Sequence, residues 1–272
     1  MSLTAANLDA SLAVLTEASY RQSASLITAL EGAGYVQLDL DGDGNGTSKA
    51  GSAAFDAWTT VANNQTVAVI AFRGTDDIDY SKDGLTAYLG SADAAYWFDT
   101  VGYYDQLSAK TAAFDAAVDN LGIGQVYVTG HSLGGAAAQA YMAAHPDDAD
   151  TRYAAVVFGS MGLSGGDAGS ATDARIVNFV APSDFSTQLG TQTAGLTVSF
   201  SDGSGSLDSG LDLSTLLADP ASYLSVHGTG LYLTAAADYD AAKAGIPSTE
   251  TTTFFTSTVT LGGLTLTVSP LG

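Results

Sequence analysis

At 272 residues the chain is long enough for one large domain with a sizeable core. Hydrophobic residues make up 46% and charged residues only 14%, which excludes a disordered chain. Acidic residues outnumber basic ones 29 to 8, a formal net charge of −21, so the surface repels phosphate backbones and argues against nucleic acid as a partner.

Such a charge also suggests a salty or calcium-containing setting, where self-repulsion is screened. Cysteine is absent, so disulfides and thiolate metal sites are ruled out. The opening stretch MSLTAANLDASLAVLTEASY has no basic segment and no continuous apolar core, and does not read as a secretory signal. No run approaches the roughly 18 apolar residues of a membrane span, so no integral membrane segment is expected.

Residues 3–30 carry apolar side chains at helical spacing (Leu8, Leu12, Leu15, Tyr20, Leu26, Leu30) and predict one or two amphipathic helices. The segment YVQLDLDGDGNGTSKAGSAAFDAWTT predicts two strands joined by a Gly- and Asp-rich loop. QTVAVIAFRGT follows as a strand apolar enough to be covered on both faces. Residues 76–105 are irregular and aromatic-rich. A helical pattern near 104–120 leads to the strand QVYVT and an Ala-rich helix. The strand YAAVVFGS, a Gly/Ser loop and the strand ARIVNFVA come next.

Apolar strands alternating with helices predict an α/β fold: a mostly parallel central sheet flanked by helices. Near the end, FTSTVTLGGLTLTV alternates Thr with apolar residues about Gly262-Gly263. It predicts a C-terminal hairpin over 253–269, with Leu261 opposite Leu264 and Val259 opposite Leu266. No repeat or linker interrupts the chain, so a single domain over 1–272 is expected.

The acidic loop places Asp39, Asp41, Asp43 and Asn45 at alternate positions, with Gly44 at the sixth. This matches the first half of a calcium loop, which takes oxygen ligands at positions 1, 3, 5 and 7. Position 12 is Ala50, so the bidentate acid is missing, and the flanks read as strands. A solvated Gly/Asp loop is the favoured reading; calcium as a structural ion is the other.

Gly130-His131-Ser132-Leu133-Gly134 has the Gly-x-Ser-x-Gly form of a nucleophile elbow, with a strand before it and a helix after. In an open parallel sheet, chemistry sits at the carboxyl ends of the strands, which is where Ser132 falls. Serine needs a general base, and only three histidines are available. His131 lies inside the turn, so its side chain is expected to point elsewhere. His145 ends the following helix, on the order of 20 Å away at about 1.5 Å per residue. His227 remains as the base.

The orienting acid should follow Ser132 and precede the histidine. Asp147, Asp148, Asp150 and Asp173 fall at the wrong edge of the sheet. Asp184 follows the second strand after the nucleophile, at the carboxyl edge, with Asp167 as the runner-up. The oxyanion needs two preorganised donors. Leu133 offers its N–H, and Thr75, after the buried strand AVIAF, offers an N–H and a hydroxyl. Arg73 reads as a structural ion-pair partner.

Four segments, VIAFRGT, VYVTGHSLGGAAA, VNFVAPSD and VHGTGLYL, resemble the class 3 (fungal-type) lipases of the α/β-hydrolase fold over roughly residues 60–235. The resemblance implies a triacylglycerol lipase acting through Ser132, Asp184 and His227, with Thr75 and Leu133 at the oxyanion and no catalytic cofactor. It also implies a lid over 76–105, with Tyr80, Leu85, Tyr88, Leu89, Tyr96, Trp97 and Phe98 as lid or pocket residues; for Tyr96 to Phe98, simple packing on the sheet is an equal reading. Phospholipase A1 and short-chain or polyester esterase activities are alternatives. So, outside the enzymes, is a calcium-dependent surface or adhesive protein on an inactive hydrolase scaffold. A lipid or ester substrate, reached at a lipid–water interface, and a secreted or surface location in a bacterium complete the expectations. A cytoplasmic location and the oligomeric state stay open.

Overall fold

The computed structural model describes residues 3–20, 24–75, 91–166, 171–201, 226–244, 257–261 and 264–270. The helices α1 (Leu8–Tyr20) and α2 (Ala24–Gly32) come first, followed by β1 (Val36–Gln37), β2 (Thr47–Ala50), β3 (Ala53–Ala62) and β4 (Gln65–Phe72). After a 3-10 turn at Ala94–Tyr96 come α3 (Thr100–Asp105), α4 (Ser108–Leu121), β5 (Gln125–His131) and α5 (Leu133–Ala144). Then follow β6 (Arg152–Phe158), β7 (Asp173–Val180), a 3-10 turn (Phe185–Gln188), β8 (Ala194–Ser201), α6 (Thr229–Ala244), β9 (Ser257–Leu261) and β10 (Leu264–Pro270).

The strands form one mixed sheet in the order β1-β3-β4-β5-β6-β7-β8-β10-β9, with β2 paired to β3. Its centre is parallel: β4 with β5, β5 with β6, β6 with β7 and β7 with β8. Both flanks are antiparallel, through β3 on one side and β10 on the other. In β9 and β10 the register sets Leu261 opposite Leu264 and Val259 opposite Leu266.

The central strands are apolar without interruption because both faces are covered. Successive side chains point to opposite faces. Along β4, Ala68, Ile70 and Phe72 enter one core with α4 and α5, while Val69 and Ala71 enter the other with α1 and α6. Along β5, Val126 and Val128 face the first core and Thr129 meets Thr16 of α1, Oγ1 to Oγ1 at 2.7 Å. Every residue of α5 from Leu133 to Met142 is buried, and its Gly and Ala content lets the helix lie close to the sheet. A Cβ on Gly135 would come within 2.5 Å of Ser160 Oγ.

Three details depart from the sequence reading. The pattern near 104–120 is two helices, broken between Asp105 and Ser108. The acidic segment carries three strands, β1, β2 and β3, since Gly51 at φ +61° turns the chain between β2 and β3. Strand β8 and helix α6 were not foreseen: β8 mixes Thr, Ser and Gly with its apolar residues, and α6 follows a Gly-rich start.

Candidate active site

β5 runs into α5 through one residue. Ser132 takes φ +60° and ψ −127°, a conformation rarely adopted by a side-chain-bearing residue. The turn is held on several sides. The Ser132 N–H donates to the Phe158 carbonyl at 3.1 Å, and the Ser132 carbonyl accepts from Gly135 (3.0 Å) and Met161 (3.1 Å). The flanking glycines are required by space. A Cβ on Gly130 would lie 2.3 Å from the Gly134 carbonyl oxygen, and one on Gly134 would lie 2.4 Å from that of Phe72.

Opposite the serine, His227 Nε2 lies 2.9 Å from Ser132 Oγ. Its Nδ1 lies 2.8 Å from Asp184 Oδ2. The carboxylate can only accept, so the proton sits on Nδ1 and Nε2 is left to take the serine's proton. All three residues are buried: Ser132 is 3% exposed, His227 5% and Asp184 0%. Asp184 stands in the loop after β7, His227 two residues before α6, and Ser132 at the end of β5.

Asp184 is surrounded by donors. Ser186 gives its N–H (3.0 Å) and hydroxyl (2.6 Å) to Oδ1, and Tyr232 of α6 gives its hydroxyl to Oδ2. Burial opposes ionisation of this carboxyl, but the charge of His227 and the hydrogen bonds from His227, Ser186 and Tyr232 outweigh it and hold the pKa below the usual carboxylate range.

His131 does not point away from the site. Its Nε2–H donates to the His227 carbonyl at 2.6 Å, and its ring lies 4.5 Å from the His227 ring, centre to centre. Burial, helped by the neighbouring His227, pushes its pKa down to about 3, so the ring is neutral. With Nε2 protonated, Nδ1 faces the Tyr20 hydroxyl at 3.2 Å. Tyr20 in turn accepts from the Gly74 N–H at 2.9 Å. His131, Tyr20, Ser186 and Tyr232 are the neighbours that sequence reasoning missed. Only the HS dipeptide hinted at one of them.

Gly74 packs on the elbow, where a Cβ would approach the His131 carbonyl oxygen to 2.6 Å and the Gly134 nitrogen to 3.2 Å. The next residue is therefore delivered to the start of α5. There Leu133, as the first helical residue, has an N–H with no intrahelical acceptor. Thr75 Oγ1 accepts from Trp97 Nε1 at 3.2 Å. An indole only donates, so the Thr75 hydroxyl proton stays free to point at a ligand.

Of the aromatic cluster, Trp97 is buried, Tyr96 is half-buried with its ring 5.8 Å from that of Tyr103, and Phe98 is 73% exposed. Thr100–Asp105, inside the expected lid, is helix α3. It packs on α5, with Tyr103 buried and donating to the Arg73 carbonyl at 2.9 Å. Tyr80, Leu85, Tyr88 and Leu89, and the runner-up acid Asp167, lie outside the described residues.

The remaining histidine and acids sit elsewhere. His145 caps the far end of α5, stacked on Tyr141 and bonded to Asp115 at 3.2 Å. Burial opposes its protonation, but the Asp115 bond raises its pKa overall. Asp147 and Asp173 bind Arg175, which donates to the carbonyls of Met142 and His145 at the same helix end. Arg73 lies 3.9 Å from the buried Asp56.

In the acidic loop, Asp39 accepts from the N–H groups of Gly42, Asp43 and Gly44, Asp43 accepts from Asn45, and Asn45 accepts from Thr47. Asp41 bonds Lys110 at 2.7 Å. Among the described residues no group of three or more His, Cys, Asp or Glu side chains is arranged to hold a metal ion, and no helix is long and apolar enough to cross a membrane.

The parallel centre, the helices on both faces and the strained serine at the end of β5 together make an α/β-hydrolase arrangement. No family model matches the sequence, and no curated protein matches it. Among solved structures, the chain is similar to a deletion mutant of the Rhizomucor miehei lipase in complex with its propeptide (16% identity, 73% of this chain and 68% of that one, TM-score 0.45). It is also similar to a lipase from Rhizopus microsporus var. chinensis (17%, 64% and 65%, TM-score 0.42). A third is a triacylglycerol lipase described as having a serine-protease triad at its catalytic centre (16%, 70% and 78%, TM-score 0.41).

Proposed function

We propose that the chain is a serine carboxylic-ester hydrolase that cleaves acyl esters of lipids, triacylglycerols foremost, through an acyl-enzyme on Ser132. The observation that carries this reading is the buried chain Ser132–His227–Asp184, closed at 2.9 and 2.8 Å around a serine held at positive φ.

The chemistry follows from the geometry. His227 Nε2 takes the Ser132 proton as Oγ adds to the ester carbonyl. The imidazolium that forms keeps Nδ1–H on Asp184, whose charge is preserved by its donors. The carbonyl oxygen becomes an oxyanion at the positive end of α5, where Leu133 N–H and the Thr75 N–H and hydroxyl receive it. His227 then returns its proton to the leaving alcohol, and a water repeats the sequence to free the acid. The lipid substrate is supported by the resemblance of the four sequence segments to class 3 lipases and by the buried indole of Trp97 beside Thr75. We place the protein outside the cell or on its surface, where its acidic charge is screened.

A fluorophosphonate probe tests the reading. It should label the wild type and leave Ser132→Ala unlabelled, and an unlabelled wild type rejects the reading. Hydrolysis of triolein against phosphatidylcholine and short p-nitrophenyl esters then separates lipase from phospholipase and esterase.

A further inference from the structure

Ser186 stands two residues after Asp184 and is completely buried. Its Oγ lies 2.6 Å from Asp184 Oδ1, 2.9 Å from the Gly159 carbonyl oxygen and 3.0 Å from His227 Nδ1. A hydroxyl has one proton to give. Asp184 Oδ1 is both the nearer acceptor and the charged one, and two oxygens do not sit at 2.6 Å without a proton between them. The proton therefore goes chiefly to Asp184, with the Gly159 carbonyl as its longer second acceptor, and a lone pair of Oγ is left toward the imidazole. The Nδ1–H of His227 is then shared between Asp184 Oδ2 at 2.8 Å and Ser186 Oγ at 3.0 Å.

We propose that Ser186 is a positioning residue of the hydrolysis: its hydroxyl gives the His227 N–H a second acceptor and withdraws charge from Asp184. The kinetic consequence rests on the ester-hydrolase reading; the hydrogen-bond consequence does not. Two acceptors on different atoms fix the ring plane more tightly than one. A carboxylate that accepts from Ser186 also pulls less on the imidazolium proton.

The two effects of losing the hydroxyl oppose each other in the base's affinity for a proton. The short bond to a charged acceptor is the stronger of the two, and the longer leg of a shared bond the weaker. Removing Ser186 Oγ should therefore raise the base's affinity overall. Titratable side chains of the described residues around the pair are His131 from β5, Tyr20 and Glu17 from α1 (Glu17 bonded to Thr229) and Tyr232 from α6. The variants leave all four in place.

The experiment compares wild type, Ser186→Ala and Ser186→Cys, which keeps the shape and weakens the donor. Rates on p-nitrophenyl butyrate are taken across pH, with the downfield proton spectrum of the resting protein. In Ser186→Ala, kcat should fall roughly tenfold with KM little changed, and the acidic limb of kcat/KM should move up by about half a pH unit or more. The His227 Nδ1 proton should move downfield, because it is no longer shared. Ser186→Cys should move both in the same direction by less, and it decides the matter if the alanine variant does not fold. A folded variant with the wild-type limb and resonance overturns the proposal. If the wild type is not labelled by fluorophosphonate, the ester-hydrolase reading fails, while the resonance still tests the shared bond.

Discussion

The imidazole of His131 lies against that of His227, and its Nε2–H fixes the His227 backbone carbonyl at 2.6 Å. The residue beside Ser132 in sequence thus holds the main chain of His227. The bond needs a neutral ring, and burial lowers the His131 pKa from 6.5 to about 3. Between those values the unfolded chain binds a proton that the folded chain refuses. This contribution to stability is fully present above pH 6.5 and is lost as pH falls toward 3. His131→Phe removes the titration, so its melting temperature should fall less than the wild type's between about pH 7 and pH 4. Parallel curves would refute this.

Trp97 and Thr75 form a second pair. With its indole bond gone, Trp97→Phe should leave the Thr75 hydroxyl free to rotate away from the oxyanion position. A directly lost oxyanion donor costs about 10²–10³ in kcat, and the loss in Trp97→Phe should be smaller than that in Thr75→Ala. In the Thr75→Ala background, Trp97→Phe should cost little more, which a double-mutant cycle on kcat measures. Additive losses would separate the two residues.

Ser132 bears strain that a glycine would not. At φ +60° a residue with a Cβ is disfavoured by about 1–3 kcal/mol. Ser132→Ala keeps the Cβ and loses the hydroxyl, whereas Ser132→Gly loses both. Both variants should be inactive, and the glycine variant should melt higher than the alanine variant by the equivalent of about 1 kcal/mol. Equal melting temperatures would show that the turn is unstrained.

Asp39 organises its loop by accepting from three backbone N–H groups. Asp39→Ala should lower stability by about 1 kcal/mol, as read by urea denaturation. With Asp39, Asp43 and Asn45 turned onto the loop's own backbone and Asp41 on Lys110, millimolar calcium should leave the wild-type melting temperature unmoved. A rise that a chelator reverses would make calcium a structural ion of this loop.

Much of this arrangement was legible because each signal was local or countable. The elbow announces itself through Gly130 and Gly134, which the backbone contacts of the turn demand. With three histidines in the chain, a sheet edge and a helix length were enough to single out His227. Asp184 followed from the rule that places chemistry at strand carboxyl ends. The neighbours of these residues were not legible. Tyr20 reaches His131 across 111 positions and Tyr232 reaches Asp184 across 48, contacts that only packing creates. His131 was misplaced because its position in the turn does not reveal its direction: β5 carries the side chain to the face that α1 and α6 cover, where it meets His227 and Tyr232. β8 was legible in principle, because Ala194, Leu196, Val198 and Phe200 alternate with Gly195, Thr197, Ser199 and Ser201 in the period of a strand, but it was not picked out.

The helices α1 and α6 face each other over the sheet, and their polar residues bind them together. Lys243 lies between Asp9 and Asp240, and Asp240 accepts the Ala10 N–H at 2.8 Å. Lys243 and Asp9 are 234 positions apart and Ala10 and Asp240 are 230, whereas Asp240 and Lys243 share one turn of α6. The contacts between the two helices therefore close very long loops. His227 and Tyr232 belong to the α6 end of the chain, whereas Ser132 and the elbow belong to its middle. On the ester-hydrolase reading, a chain cut short before His227 and α6 would keep Ser132 and lack the base proposed for it.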